Sequence, residues 1–207
     1  MAGASAMATV SGMEPSPHHD RDPLRVVVAG AGVGGLEAVV ALRGLVGHRV
    51  APTLVAPTDD FTVRALEVLE PFDAGQAQRY PLAELAADLD VAFVRDAVAR
   101  VEHADHFVRL QSGDTLPYDL LVLAVGAFPY PAYEHGVCFH RPHDEEGFDA
   151  VVADLRAGLA ESIAIVVPPG CSWTLPAYEL ALMTAALVQP RQLTLVTHEH
   201  DDRDRLG

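Results

Sequence analysis

The sequence predicts an α/β protein. It should hold a parallel sheet with helical crossovers and an inserted β-hairpin, followed by the start of a second unit of the same kind. Three observations predict this. An apolar β-branched run, Arg25–Ala29, passes through a glycine-rich loop into a helical pattern. A continuous apolar run, Leu120–Ala124, reads as a strand covered on both faces. A strand–helix–strand pattern recurs between Ile163 and Val196.

The bulk numbers are compatible with this fold class. A chain of 207 residues, half of them hydrophobic, can build one large or two small domains. No apolar run approaches the ~20 residues that a membrane-spanning helix needs. The formal net charge of −15 argues against nucleic acid as a partner, because phosphate binding needs clustered Lys and Arg. Only two cysteines occur, Cys138 and Cys171, which suggests a reducing compartment, the cytoplasm, and no disulfide framework. Residues 1–24 are small, polar and proline-containing, without the basic and apolar regions of a signal peptide. They read as a disordered tail.

The first strand, "RVVVA", runs straight into "GAGVGGLEA" (30–38), and the helical pattern stops at Gly47. Gly30-x-Gly32-x-x-Gly35 therefore lies between a strand and a helix, as a Rossmann-like dinucleotide loop requires. Gly30 permits the tight turn, Gly32 lets the backbone approach a pyrophosphate, and Gly35 lets helix and strand pack closely. Val33 and Gly34 open the helix, whose free N–H groups and positive dipole end face the anion.

The next strand is "PTLVAP" (52–57). An acid at its end would bind a ribose hydroxyl. That position is Ala56, and the acid is missing. Asp59 and Asp60 follow closely. They read either as ribose ligands or as solvated loop charges.

The middle of the chain supplies a short helix at 80–89, strands in 91–102, a turn "HADH", a strand at 107–113 and a second turn "SGDT". "LPYDLLVLAVGAFPYP" (116–131) follows, its strand closed by Gly126. "RVVVAGAGVGGLEA" followed by "YDLLVLAVGA", about ninety residues later, resembles the two-dinucleotide-binding-domain flavoproteins of the pyridine nucleotide–disulfide oxidoreductase superfamily. These include type II NADH dehydrogenases, ferredoxin reductases and sulfide:quinone oxidoreductases.

The resemblance implies that the first loop holds the FAD pyrophosphate and that the strand ending at Gly126 closes on the same cofactor. It also implies that the Val98 backbone lies near the adenine. Val125 stands where that superfamily usually has Thr.

The second unit repeats the first. The Val-Val pair at 27–28 and Thr53-Leu54-Val55 find counterparts in Val166-Val167 and Thr194-Leu195-Val196. "LPAYELALMTAALV" supplies the helix between them, with Pro176 suited to its first turn. Its turn chemistry differs. Pro168 and Pro169 offer no N–H, Trp173 adds bulk, and only Gly170 remains of a glycine loop. NAD(P)H binding there is therefore doubtful.

"GCSWTLPAYE" (170–179) instead resembles a turn of the sulfide:quinone oxidoreductases, which, like flavocytochrome sulfide dehydrogenases, carry no NAD. The match is incomplete. That branch's reactive cysteine would fall at Trp173, and Cys171 lies two places earlier. Cys171 is a catalytic candidate if the following helix N-terminus lowers its pKa. Otherwise it is a small hydrophobe packed under Trp173. Cys138, at the opening of an apolar strand pattern, reads as plainly buried.

The domain reading is then a tail at 1–24, the N-terminal segment of an FAD-binding Rossmann-like domain at 25–136, and an incomplete second nucleotide-binding-like domain at 137–207. A typical member continues further, so the resemblance implies the N-terminal half of a flavoprotein. Membrane association is expected only through a C-terminal segment not present in this sequence.

Two functions follow. One is an FAD-dependent oxidoreductase passing electrons from NAD(P)H or a reduced sulfur compound to a quinone-type acceptor. The other is a nucleotide-binding module without catalysis. The expected partners are small redox molecules, with a homodimer left open. His18, His19, His103, His106, His198 and His200 lack metal-ligand spacing and read as surface histidines, so no metal site is expected.

Overall fold

The computed structural model describes residues 22–127, 132–139, 147–171 and 173–198. The tail reading for 1–24 therefore falls almost wholly outside the described residues. So do Ser172, His18, His19 and His200.

The first sheet is parallel throughout. Its strands are β1 (Leu24–Ala29), β2 (Val50–Ala56), β5 (Ala92–Arg95) and β9 (Leu120–Leu123), in the order β5-β2-β1-β9. Helix α1 (Val33–Val46) carries the chain from β1 to β2. It ends where Gly47 takes φ +59, a conformation that suits glycine. A short antiparallel pair, β3 (Asp60–Thr62) and β4 (Arg79–Pro81), precedes helix α2 (Leu82–Asp88). The helix expected at 80–89 thus yields Tyr80 and Pro81 to a strand, because their backbone pairs with Phe61 and Asp60.

Strand alternation explains the apolar run of β1. Val26 and Val28 face one way, into a core with Val39 of α1 and Leu82 and Ala86 of α2. Val27 faces the other way, into a core with Val55, Val108, Leu110 and Tyr118. That second face is covered by the antiparallel meander β6 (Val98–Glu102), β7 (Phe107–Leu110) and β8 (Thr115–Pro117). Both faces of β1 are covered, so both sets of side chains are apolar. Burying each of these valines stabilises the fold by roughly 1.5–3 kcal/mol.

The same rule fails for β9. Its run was expected to be covered on both faces, yet Leu120 is 50% and Leu123 60% exposed. Among the described residues the strand lies at the end of the sheet, bonded to β1 alone. The apolar pattern marks a parallel strand, and neighbours alone decide how far it is covered.

The foot of β9 is fixed by charge. Asp119 accepts the Arg25 backbone N–H at 2.8 Å, Nε at 3.1 Å and Nη2 at 2.8 Å. The Asp119 N–H donates to the Arg25 carbonyl at 2.9 Å. The hydrogen bonds from Arg25 hold the Asp119 carboxyl down to about 2.

The second unit consists of α3 (Gly147–Ala157), β10 (Ser162–Val166), α4 (Leu175–Met183) and β11 (Gln192–Val196), with β10 and β11 parallel. Pro176 stands in the first turn of α4, as the sequence suggests. A π-helical turn, Thr184–Val188, follows α4. The unit packs on a 3-10 helix, Arg64–Phe72. Phe148, Val152 and Leu180 join Val68 and Phe72 in one core. Phe148 meets Phe72 edge-on at 6.1 Å, and Arg156 donates to the Phe72 carbonyl at 3.2 Å.

Among the described residues no helix is long and apolar enough to cross a membrane.

Candidate dinucleotide site

The site lies at the carboxyl ends of the parallel strands, around β1, where β2 and β9 flank it on opposite sides. Open α/β sheets bind ligands at such points, where the strand order reverses.

Three glycines build the turn, for two different reasons. Gly30 has φ +105, and a Cβ there would run into the Ala124 carbonyl oxygen. A Cβ on Gly35 would overlap the Gly30 carbonyl. The protein's own packing therefore demands glycine at both positions. Gly32 differs. Its φ of −75 and ψ of −174 suit any residue, and a Cβ there would meet nothing within 4 Å. Nothing among the described residues requires glycine at 32, yet the open face it leaves lies beside the first turn of α1.

That turn is prepared for an anion. Gly32 caps α1 without a side-chain hydrogen bond, and the first turn carries no acidic residue. The opening N–H groups of a helix have no intrahelical acceptor, and its dipole is positive there. Val33 and Gly34 begin this turn, and both are exposed. A pyrophosphate fits this cradle, so the residues present are suited to a dinucleotide such as FAD.

The remaining expected site residues gather around the same edge. The Gly30 N–H donates to the Val55 carbonyl at 2.8 Å, which sets the loop beside buried Ala56. Ala56 is paired in register with Arg95, the last residue of β5. Arg95 in turn meets Asp59, Nε to Oδ1 at 2.5 Å. Asp60 is taken into β3 opposite Pro81.

Val98 opens β6, half-buried, just beyond the turn that leaves β5. That turn is fixed by Asp96. The Ser112 side chain, the Ala97 N–H and other backbone groups hold its carboxyl below the usual range. On the other side, the Ala124 N–H donates to the Ala29 carbonyl at 2.8 Å, and Gly126 follows with φ +72. Arg95 carries no motif in the sequence, and Ala124 lies in the "YDLLVLAVGA" stretch without a role assigned to it. Their place at the site depends on strand pairing.

The second turn is built otherwise. The Val167 N–H donates to the Val196 carbonyl at 2.8 Å, the bond that Gly30 makes to Val55 in the first unit. Thr194-Leu195-Val196 do match Thr53-Leu54-Val55. Their register partners Ala164, Ile165 and Val166 then match Val27, Val28 and Ala29. The Val-Val pair at 166–167 is therefore not the counterpart of 27–28. The register is offset by two, because valines recur in strands and do not mark position.

Buried Val167 thus stands where Gly30 would be, and residues 167–174 span a gap that residues 30–32 span in the first unit. The turn also bonds to itself. The Cys171 N–H donates to the Pro168 carbonyl at 3.4 Å, and the Cys171 thiol to the Trp173 carbonyl at 3.4 Å. Cys171 is half-buried and Trp173 is 53% exposed. Cys138 is also half-buried, and no strand forms at 137–139. A cleft lined by Glu70, Asp73, Arg79 and Asp149 shares no residue with the glycine cradle. Among the described residues no group of three His, Cys, Asp or Glu side chains could hold a metal ion.

No protein-family model matches the chain. Solved structures do. A sulfide:quinone oxidoreductase from the hyperthermophilic bacterium Aquifex aeolicus is 23% identical, with a TM-score of 0.67 over 83% of this chain and 43% of that one. The fold is that of the FAD/NAD(P)-binding flavoprotein oxidoreductases. An NAD-dependent persulfide reductase from A. fulgidus is 21% identical, with a TM-score of 0.59 over 83% of this chain and 34% of its own. Putidaredoxin reductase, in a covalent complex with putidaredoxin, is 22% identical, with a TM-score of 0.56 over 84% and 42%. This chain spans less than half the length of each of these flavoproteins.

Proposed function

We propose that the chain is the FAD-binding part of a flavin-dependent oxidoreductase. It would pass electrons from NAD(P)H or a reduced sulfur compound to a quinone-type acceptor. One observation carries the reading. Gly32 leaves open space beside an uncapped helix N-terminus, while Gly30 and Gly35 are locked by the protein's own packing.

FAD, when bound, supplies the redox chemistry. The chain's residues would bind and orient it. Gly32, Val33 and Gly34 would receive the pyrophosphate, Ala56 and Val98 would border the adenosine, and Gly126 would close the far side. The second turn favours a sulfur compound over NAD(P)H, since Pro168, Pro169 and Val167 replace a bare glycine loop. Cys171 remains the candidate thiol. A reducing compartment, the cytoplasm, suits two unpaired cysteines.

The test is a titration of the purified chain with FAD, read by quenching of flavin fluorescence and by the absorbance of the purified protein. Saturable binding supports the reading. A colourless chain that ignores FAD and still binds ADP would favour a nucleotide-binding module without flavin chemistry.

A further inference from the structure

The acid expected at the end of β2 is absent, since Ala56 occupies the position. The structure places a carboxylate close by. Asp59 lies three residues on, where its carbonyl accepts the Leu82 N–H at 2.8 Å, so its backbone is fixed. Its side chain meets Arg95, the register partner of Ala56 across the β2–β5 ladder. Asp59 is thereby drawn to the carboxyl end of these two strands, and β2 is also the strand whose Val55 carbonyl receives the Gly30 N–H. Among the described residues Asp60 has no such partner at that edge. It pairs with Pro81 in β3–β4 and accepts the Thr58 hydroxyl on its carbonyl. Both Asp59 and Arg95 are more than 60% exposed, so their polar atoms remain open to a ligand.

We propose that Asp59, positioned by Arg95, is the ribose-hydroxyl acceptor of this site in place of the missing acid at Ala56. The inference rests on the reading of the glycine loop as an adenine-dinucleotide cradle. An ionised carboxylate is acceptor-only and suits a vicinal diol. The guanidinium orients it and leaves acceptor positions free. The same carboxylate disfavours a nucleotide with a phosphate on the ribose 2′-oxygen, because like charges would then be brought together. The site should therefore select ADP-type ribose, as FAD carries, over 2′-phosphorylated ribose.

The test uses the full chain with ADP, 2′-deoxy-ADP and adenosine 2′,5′-bisphosphate, each displacing a fluorescent adenine nucleotide. The parent should bind ADP about tenfold more tightly than 2′-deoxy-ADP, the scale of one hydrogen bond to a charged group. Asp59→Asn should shrink that preference, weakening ADP more than 2′-deoxy-ADP, which keeps only the 3′-hydroxyl of the diol. Arg95→Gln should reduce the preference, and Arg95→Lys should retain part of it. A surface pair adds little to stability, so all variants should melt where the parent does. Equal loss of both ligands in Asp59→Asn, or no loss, overturns the assignment. So does tighter binding of the 2′,5′-bisphosphate, which would make Arg95 a phosphate reader. Failure of the parent to bind any adenine nucleotide overturns the cradle itself. Normal ADP binding without a 2′-hydroxyl preference overturns the ribose assignment alone.

Discussion

Gly30 and Val167 make the same hydrogen bond in two copies of one unit, each donating its N–H to the second strand at 2.8 Å. In the first copy the next residues form an open cradle. In the second, Val167 is buried and the turn bonds back on itself through Cys171. The two units share a backbone frame and diverge in what their turns can hold. The open cradle on which the FAD proposal rests is therefore present in the first turn and not in the second.

The first prediction separates ligand binding from folding. Gly32→Val should abolish FAD retention, because the side chain would fill the open face beside the helix N-terminus. It should lower the melting temperature only slightly, since φ −75 and an empty Cβ position admit valine and the poorer N-cap costs about 1 kcal/mol or less. Gly30→Val should do the reverse first: at φ +105, against the Ala124 carbonyl, it should unfold or strongly destabilise the chain. Equal thermal loss in the two variants would sink the distinction.

A second prediction concerns the nicotinamide cofactor. With FAD at saturation, neither NADH nor NADPH should show saturable binding in the micromolar range that enzymes commonly use. The second turn lacks the donors, as Pro168 and Pro169 carry no N–H. Calorimetric titration checks it. A clear micromolar isotherm would restore NAD(P)H as the electron donor.

The third prediction follows from Asp119 and Arg25. Asp119 has its carboxyl lowered from 3.8 to about 2 by the Arg25 hydrogen bonds. A depressed acid stabilises the fold above its unfolded pKa and loses that contribution as pH falls through the folded value. Asp119→Asn should thus be less stable than the parent at neutral pH. The gap should close as pH falls from about 4 to about 2. Urea midpoints across that range give the answer, and added salt should narrow the gap, since both side chains are partly exposed. A gap that widens in acid would contradict the assignment.

The first turn was legible in the sequence because its logic is local. Strand, glycines and helix are contiguous, so Gly30, Gly32 and Gly35 could be placed without a partner strand. The difference between Gly30 and Gly32 was not legible, because it depends on Ala124 arriving from β9. Arg95 was invisible for the same reason, since only the β2–β5 register sets it beside Ala56. The repeat was readable, but its register was not: valine pairs recur, and hydrogen bonds alone fix the offset of two. The 3-10 helix Arg64–Phe72, with Pro71 inside it, has no period that sequence reading can follow. Phe148, Val152 and Leu155 in α3 are buried at helical spacing, and Phe148 and Val152 join the core with Val68 and Phe72, but no helix is expected there from the sequence reading.

The last prediction turns on Thr184, which opens the π-helical turn after α4. Its side chain is 0% exposed and its hydroxyl oxygen has no hydrogen-bond partner among the described residues. Burying a hydroxyl without a partner costs about 1–3 kcal/mol on protein scales. The backbone of the turn does not depend on that hydroxyl, because the Thr184 carbonyl accepts the Gln189 N–H at 3.0 Å through main-chain atoms alone. Valine has nearly the same shape and replaces the hydroxyl by a methyl group. Thr184→Val should therefore stabilise the chain by about 1 kcal/mol, a rise of roughly 2–4 °C in melting temperature for a protein of this size. Thr184→Ser keeps the unpaired hydroxyl and removes the methyl, so it should destabilise instead. Thermal unfolding of the two variants beside the parent distinguishes the cases. A loss of stability in Thr184→Val would show that the hydroxyl has a partner in solution, and the buried turn after α4 would then be a polar site.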